Sequence, residues 1–479
     1  MSKSIPIPPL DLMFFLTESP QSPKHVGAVQ VFELPKNAPK DYMQKLVAQF
    51  KEAPVVAPFS YTAHFPKFGM PQWRESEEIE IDYHVRHSAL PQPGNDEQLM
   101  EVIERLHCTL LDRRRPCWMC QVIEGLEGNR FAIYSKIHHA YIDGMSGVKR
   151  MYGSLSTSPR SKDVVTTWSF DPATTKAENK KSEKPHKNAL VEQARGLVEA
   201  YGFLRKLGLQ SLKLRESDAQ GLFAAKRVRM NRPIKWDTRS TAICTLPLDR
   251  IKAIGKARDC TVNEVVLAII GASLDEYLGA HGEPLKAPLV ALCPMSIRSE
   301  SDDSAKTQVS SVNVRLGDPG VNVSRRLRQV VESSRASKAN VSSLSAAAMM
   351  DFGVIMFAVL ELLERSHLDQ FVAPSYNVLV SNVPGPGDEL LYLNGSRMVA
   401  SYPISTLLPS VNLNVTLLSH GNSLDFGLLG DRHALPDLGL VAEGIERQFM
   451  AMEKAVLGKK PRARRKAPAK KSRPKRKAG

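Results

Sequence analysis

Strand-like and helix-like segments alternate along this chain, and that alternation limits the possible folds more than any other feature. Residues 26–32, 118–124 and 131–137 are short apolar runs typical of buried or half-buried strands. Between them, residues 39–51 and 96–111 repeat apolar side chains at the three- and four-residue spacing of an amphipathic helix. Such an order predicts an α/β sandwich.

The second half of the chain has the same alternation. Its predicted strands cover residues 240–246, 290–295, 376–381, 411–419 and 424–429. Its predicted helices cover residues 248–258, 261–278, 323–337, 344–363 and 439–457. A chain of 479 residues exceeds a single ordinary core, so we expect two α/β halves, residues 1–153 and 240–457.

The region between the two halves differs in composition. Residues 154–187 are rich in Ser, Thr, Lys, Glu and Pro, which predicts a mobile polar linker. Residues 188–239 then predict a helical connector, in which Asn188 caps an amphipathic helix.

The net charge of +15 belongs to the C-terminal tail. Residues 459–479 hold 12 of the 65 Lys and Arg and no acid, which leaves 53 basic residues against 50 acidic ones elsewhere. We expect residues 458–479 to be disordered and to bind an anionic membrane or lipid-inclusion surface; a solubilising extension is the alternative. No zinc-finger spacing, basic helix or aromatic RNA platform is present, so no specific nucleic-acid binding is expected.

Cysteine usage and hydropathy indicate a cytoplasmic setting. The apolar run at residues 12–16 is too short for a secretory signal core, so the six cysteines are read as reduced thiols. Cys117 and Cys120 have CxxC spacing, but no second pair exists to complete a zinc site. Residues 346–363 are interrupted by two acids and favour a buried helix over a membrane span.

Two adjacent histidines, His138 and His139, close the strand-like run at residues 131–137. Successive strand side chains face opposite ways, so one ring can enter a cleft while the other packs inward. Histidine titrates near neutral pH, which suits proton transfer. Asp143 can brace the loop, and Gly144 permits a tight turn before a helix. The segment predicts one general base; half of a metal site is the alternative, without an obvious further ligand.

Seven short blocks, in one order along the chain, carry a resemblance to a known family. They are Pro23-Lys24-His25-Val26-Gly27, His84 to Pro91, Leu111-Asp112-Arg113 with Pro116-Cys117-Trp118, His138-His139 with Asp143-Gly144, Asn263-Glu264, Pro294 with Ser296 and Arg298, and Ser381 to Pro386. They resemble the bacterial wax ester synthase/acyl-CoA:diacylglycerol acyltransferases, whose HHxxxDG signature falls on residues 138–144. Lys24, Cys117 and Glu264 stand where that family has Met, Leu and Asp.

The resemblance implies a fold and a reaction. The fold is that of CoA-dependent acyltransferases: two chloramphenicol-acetyltransferase-like α/β halves that face each other across a substrate tunnel, as in peptide-synthetase condensation domains. The reaction is O-acyl transfer from acyl-CoA, a co-substrate, to a fatty alcohol or diacylglycerol, giving wax ester or triacylglycerol. No bound cofactor or metal is implied. With its basic tail, the protein is expected to be cytoplasmic and peripherally associated with the inner membrane or lipid inclusions.

The resemblance makes His139 the base. An alcohol is a poor nucleophile until its proton is taken, and the activated oxygen then attacks the thioester directly, without an acyl-enzyme. His138 is expected to pack beside the base. Two alternatives stay open: an acyltransferase of the same fold with an amine or other acceptor, and a non-catalytic lipid-body surface protein.

Two further positions concern the oxyanion formed by that attack. The side-chain amide of Asn263 is our candidate donor, and the alternative is that Asn263 caps the helix that begins near Thr261. Glu264 is brought in by the resemblance as a supporting acid.

The remaining candidates support the site or line the tunnel. Asp143 is expected to form a bidentate pair with Arg298 across the two halves, and Ser296 belongs to the same strand end. A lipid substrate needs a long apolar tunnel, although an apolar helix is more often ordinary core. The tunnel candidates are Met349, Phe352, Gly353, Met356, Ala358 and Asn382.

Overall fold

The computed structural model describes residues 4–172, 223–296, 309–341 and 346–458. Its helices in these ranges are α1 Pro9–Thr17, α2 Tyr42–Glu52, α3 Ile81–His84, α4 Asp96–Cys108, α5 Gly144–Gly153, α6 Leu248–Arg258, α7 Val262–Ala280, α8 Val323–Val341, α9 Ala346–Arg365 and α10 Leu438–Leu457. Its strands are β1 Ser4–Pro6, β2 His25–Glu33, β3 Tyr61–His64, β4 Gln72–Glu75, β5 Val85–Ala89, β6 Trp118–Leu126, β7 Arg130–His138, β8 Arg239–Pro247, β9 Val290–Ser296, β10 Val309–Arg315, β11 Val378–Val383, β12 Tyr392–Leu393, β13 Ser396–Ile404, β14 Leu413–His420 and β15 Ser423–Asp431. No helix in these ranges is long and apolar enough to cross a membrane.

Two mixed six-stranded sheets form the centres of two α/β halves. The first has the strand order β12-β13-β2-β7-β6-β5, and the second has the order β10-β9-β11-β14-β15-β8. A small three-stranded sheet, β1-β4-β3, lies apart from both. Apolar side chains of α7 and α10 form a continuous core with the second sheet, which follows from their dense apolar composition. The expected α/β class with two halves is confirmed.

The two halves do not coincide with two stretches of chain. Strand β13 comes from the second half of the sequence, yet it pairs antiparallel with β2 of the first sheet, from Arg397 opposite Glu33 to Ile404 opposite Gly27. The assignment of residues 240–457 to a single half is therefore wrong at β12 and β13. Strand β12 pairs with the adjacent β13, but the other partner of β13, β2, lies more than 350 positions away, so no local pattern in the sequence identifies this pairing.

The predicted mobile linker is wrong in its described part, residues 154–172. Trp168 stacks on Trp118, with ring centroids 5.0 Å apart, and meets Phe50 edge-on at 5.6 Å. One buried aromatic side chain is thus enough to hold a polar stretch against the first half, because a large ring removes much apolar surface from water. Residues 173–187 lie outside the described residues.

The helical connector is also wrong where the structure describes it. Residues 223–238 are irregular apart from a short 3-10 turn at Arg229–Asn231, and Arg239 already begins β8. Arg227 anchors this segment by donating hydrogen bonds to the carbonyl oxygens of Asn231 and Val372, and Pro233 cannot donate the backbone hydrogen bond that a helix needs. The predicted helix after Asn188, and the tail from residue 459, lie outside the described residues.

Candidate active site

The two histidines lie where β7, a central strand of the first sheet, ends. The strand pairs with β2 on one side and β6 on the other, and His138 is its last residue. The backbone N–H of His138 donates to the carbonyl of Cys117 at 2.9 Å, and that of His139 donates to the carbonyl of Lys24 at 2.8 Å. Both neighbouring segments therefore hold the turn, and the two rings diverge, as the strand period predicts.

His139 is half-buried, and its ring stacks on Phe14 of α1 with centroids 4.4 Å apart and 27° between the planes. Phe14 in turn meets Phe357 of α9 edge-on at 5.9 Å. Burial lowers the pKa of the His139 imidazole. A hydrogen bond from the ring to its own backbone carbonyl and the charge of Asp143 oppose that shift in pKa, while the positive charge of Lys24 adds to it. The ring is therefore neutral at pH 7 and can accept a proton.

His138 has no solvent-exposed surface and stacks on Phe15, with centroids 4.2 Å apart. Its Nδ1 accepts a hydrogen bond from the backbone N–H of Ala140 at 3.2 Å, which places the proton of a neutral ring on Nε2, 3.5 Å from Glu18 Oε1. Burial first, then the charge of Arg113, lowers the pKa of His138 to about 3. This ring packs inside the protein and faces an acid, not a cleft.

Asp143 is the N-cap of α5. Its Oδ1 accepts a hydrogen bond from the backbone N–H of Ser146 at 2.9 Å, and its Oδ2 accepts one from the Ser146 hydroxyl at 2.8 Å. The tight-turn role expected for Gly144 is wrong, because Gly144 is the first residue of the helix and lacks a positive φ. A Cβ added at Gly144 would meet no atom within 4 Å, so this position borders open space. Arg298, the expected partner of Asp143, lies outside the described residues.

Helix α1 covers both histidines, which the sequence reasoning missed. It places Phe14 on His139 and Phe15 on His138. Its first turn brings Asp11 towards Asp143: burial, followed by the charge of Asp143, raises the pKa of the Asp11 carboxyl to about 6. The pair of adjacent aromatic residues behind Asp11 was the available signal.

Lys24 is also a feature that the sequence reasoning missed, since the sequence showed only that Lys replaces the family's Met at this position. Its Nζ donates to Glu361 Oε1 of α9 at 2.7 Å and to the Ser22 hydroxyl at 2.8 Å. The side chains of Lys24 and Glu361 are only 1% and 6% exposed. The ammonium also lies 5.4 Å from the centre of the Phe357 ring. Lys24 thus joins the backbone of the His139 turn to the second half of the chain.

Asn263 does not cap α7. The cap is Thr261, whose hydroxyl accepts from the Glu264 backbone N–H at 3.3 Å while the Glu264 carboxylate accepts from the Thr261 N–H at 2.9 Å. Glu264 Oε1 also lies 3.5 Å from Lys338 Nζ. Helix α7 packs on α6, α8 and α10. Among the residues described, no hydrogen bond or ring contact joins Asn263 to His139, so its donor role stays a prediction.

Asn382 is in β11, which contacts α5, the helix that follows Asp143. The turn after β11 is tight: a Cβ at Gly385 would overlap the carbonyl of Ser419, so only glycine fits there. Ser296 ends the neighbouring strand β9, which pairs with β11 only near the start of β11.

The tunnel candidates on α9 divide between its faces. Phe352 and Met356 pack against the core of the second half, which agrees with the ordinary-core alternative. Gly353, Phe357 and Glu361 are spaced four apart and so share one face, the face that meets Phe14 and Lys24. A Cβ at Gly353 would meet no atom within 4 Å. Ala358 is half-buried, and the side chain of Met349 lies outside the described residues.

Family comparisons agree along both halves. Residues 7–266 match the family model described as the wax ester synthase/diacylglycerol acyltransferase catalytic domain, and residues 307–453 match the WS/DGAT C-terminal domain. A putative diacylglycerol O-acyltransferase of Mycobacterium tuberculosis is 34% identical over 452 residues, which cover 94% of this chain and 99% of the relative.

Solved structures give the same result for the fold. The wax ester synthase/diacylglycerol acyltransferase from Marinobacter aquaeolei VT8 superposes with a TM-score of 0.74 at 28% identity, over 94% of this chain and 99% of that one. The first condensation domain of the CDA synthetase superposes with a TM-score of 0.55 at 14% identity, over 95% and 97% of the two chains. The second similarity concerns the fold alone.

Proposed function

Because the chain belongs to the wax ester synthase/diacylglycerol acyltransferase family, we propose that His139 is the general base of its reaction. The activity is that of an O-acyltransferase, with acyl-CoA as acyl donor and a long-chain alcohol or diacylglycerol as acceptor. The observation that carries the proposal is the neutral, half-buried ring of His139 at the end of β7, which stacks on Phe14 while the backbone N–H of the same residue donates to the Lys24 carbonyl.

In the proposed step, a ring nitrogen of His139 takes the proton of the acceptor hydroxyl as its oxygen attacks the thioester carbonyl. The tetrahedral intermediate then collapses, the C–S bond breaks, and the imidazolium returns the proton to the CoA thiolate. One ring nitrogen of neutral His139 carries a proton, and the lone pair of the other nitrogen can take the proton of the acceptor hydroxyl. Such base catalysis contributes roughly 10²–10⁴-fold to the rate.

The oxyanion of that intermediate needs a hydrogen-bond donor. Asn263 is the candidate from the sequence, and Asn382 is a second one, supported by the contact between β11 and α5. Alanine substitution at the true donor is expected to lower kcat by about 10²–10³-fold, and substitution at the other position much less. The pairing of Arg298 with Asp143 and a tunnel along the Gly353 face of α9 belong to the same proposal.

We also propose that the tail, residues 458–479, binds an anionic membrane or lipid-inclusion surface. Its 12 Lys and Arg carry no balancing acid, and each basic residue near such a surface adds about 1 kcal/mol. Deleting residues 459–479 should weaken attachment to anionic vesicles and leave turnover of dispersed substrates intact. A loss of turnover in that assay would assign the tail to catalysis instead.

The deciding experiment compares His139→Ala with His138→Ala in purified protein that retains its circular dichroism spectrum. Palmitoyl-CoA is supplied with hexadecanol, with diacylglycerol or with an amine, and liberated CoA is measured. We expect loss of roughly 10²–10⁴-fold for His139→Ala and a smaller loss for His138→Ala. The reverse order, or an acylated side chain trapped during turnover, would overturn the proposal. The acceptor panel also separates the ester-forming activities from the amine alternative.

A further inference from the structure

Large apolar side chains are exposed beside the covered histidines. We call the apolar rim the set Leu16, Phe68, Met70, Leu362, Leu368 and Phe371. Phe68 is 93% exposed, Phe371 79%, Leu362 68% and Met70 66%. Side chains of this size are ordinarily covered, and their exposure on segments that all adjoin the end of α1 favours an interaction surface there.

The end of α9 and the 3-10 turn that follows it have their acids turned inward. Glu364 accepts a hydrogen bond from the Ser410 backbone N–H at 3.2 Å, and Asp369 accepts one from the Ser410 hydroxyl at 3.0 Å. Between residues 362 and 373, the exposed side chains include Leu362, Phe371 and the cation Arg365, and no acid. A stretch whose acids are held inside and whose apolar and basic side chains face outward fits an apolar partner with negative charge.

The loop between β3 and β4 has the same character. It carries Phe68 and Met70 with the exposed cation Lys67, and no residue of 65–70 is acidic. Antiparallel pairing of β3 with β4 projects this loop away from the body, as the open space around Gly69 indicates.

Both parts of the apolar rim are joined to the histidines through α1. Phe65, at the base of the loop, meets Phe15 edge-on at 5.6 Å, and Phe15 stacks on His138. The next residue of α1, Leu16, accepts a hydrogen bond at its carbonyl from an Arg365 guanidinium nitrogen at 3.0 Å. The C-terminal end of the helix that covers His139 therefore contacts both segments that carry the exposed apolar side chains.

We propose that the apolar rim inserts into the surface of an anionic lipid layer and seats the active site on it. The inference rests on the proposed function, because long-chain alcohols and diacylglycerol are held in such layers, and it assigns their delivery to the α1 side of the molecule. Exposed cations at Lys67 and Arg365 meet the head groups while the Leu, Phe and Met side chains enter the acyl region. This surface is part of the folded body and is separate from the basic tail.

The test uses the full chain, so the contribution of the tail is constant. Flotation with vesicles of phosphatidylcholine and phosphatidylglycerol at about 7:3 gives the partition coefficient of wild type, Phe68→Ser/Met70→Ser and Leu362→Gln/Phe371→Gln. Met450→Gln is the matched control, since Met450 is 63% exposed on α10, outside the rim. Each double variant should bind roughly tenfold or more weakly, and the control should bind like wild type, because each buried apolar side chain contributes separately.

A second measurement separates this inference from the catalytic proposal. CoA release from octanoyl-CoA with hexanol, both dispersed in water, should be unchanged in the rim variants. Vesicle binding equal to wild type in both variants overturns the inference, and so does a wild-type dimer that the variants convert to monomer, since a second copy would then cover the rim. Absence of CoA release from wild type with palmitoyl-CoA and either hexadecanol or diacylglycerol would instead refute the proposed function, whatever the vesicle result.

Discussion

Lys24 and Glu361 form an ion pair closed to solvent, with 2.7 Å between Nζ and Oε1, and the pair joins the segment before β2 to helix α9. The carbonyl of the same Lys24 accepts the backbone N–H of His139. One residue therefore fixes the histidine turn through its backbone and the second half of the chain through its side chain.

Lys24→Met should destabilise the protein, because it leaves Glu361 buried with only the more distant Arg365, 3.5 Å away. We expect a loss of about 3 kcal/mol in the free energy of unfolding, measured by denaturant titration. The double variant Lys24→Met/Glu361→Met should lose less than either single variant, since it removes both buried charges. A Lys24→Met protein as stable as wild type would contradict this account of the pair.

Asp143 has two effects that substitutions can separate: it caps helix α5, and its negative charge acts on the pKa of His139. Asp143→Ala removes the acceptor for the Ser146 N–H and should cost about 1 kcal/mol more stability than Asp143→Asn, because Asn caps a helix as well as Asp does. Loss of the negative charge lowers the pKa of His139, so the acid limb of kcat/KM should move to lower pH in Asp143→Asn. If the acid limb of kcat/KM moved to higher pH in Asp143→Asn, the assigned effect of the Asp143 charge on the pKa of His139 would be wrong.

Phe14 and Phe15 offer a matched pair of substitutions. Phe14→Leu removes the ring stacked on His139 and should lower kcat about threefold to tenfold, the worth of one aromatic contact. Phe15→Leu removes the ring stacked on His138 and should lower the unfolding free energy, with a smaller effect on kcat. Equal kcat values for wild type and Phe14→Leu would show that the stack does not position the base.

Stability should fall as the pH is lowered from 6.5 towards 4.5. Burial lowers the pKa of His107 to about 3, and the pKa of His138 is lowered equally far, so the unfolded chain binds protons in this window that the folded chain does not. Each such histidine adds about 1.4 kcal/mol per pH unit to the slope. His107→Gln should therefore make the pH dependence of the unfolding free energy shallower by about one proton. An unchanged slope would mean that His107 titrates normally in the folded protein.

The histidine turn was predictable because its signals are local. The run before His138 has the strand pattern, the period of two separates the rings of His138 and His139, and Asp143 caps the helix directly behind it. The cover over that turn was not predictable. Lys24 and Glu361 are 337 positions apart, and nothing near either residue in the sequence identifies the other.

The place of β13 in the first sheet was likewise not predictable from the sequence. Its pairing with β2 joins residues more than 350 positions apart, so the strand pattern of residues 396–404 cannot tell which sheet it enters. Asn263 shows a different limit: its neighbour Thr261 was as good a cap by residue type, and only the hydrogen bonds of Thr261 identify it.

Because β13 pairs with β2 of the first sheet, the two halves of the chain cannot simply be expressed as separate fragments. A fragment ending near residue 172 would leave the β2 edge with unpaired N–H and C=O groups along Val29 and Val31. Such an edge recruits other chains, so the isolated fragment should precipitate when expressed alone. Soluble material is then expected only when the missing strand is supplied, in trans or by fusing residues 390–404 to the fragment.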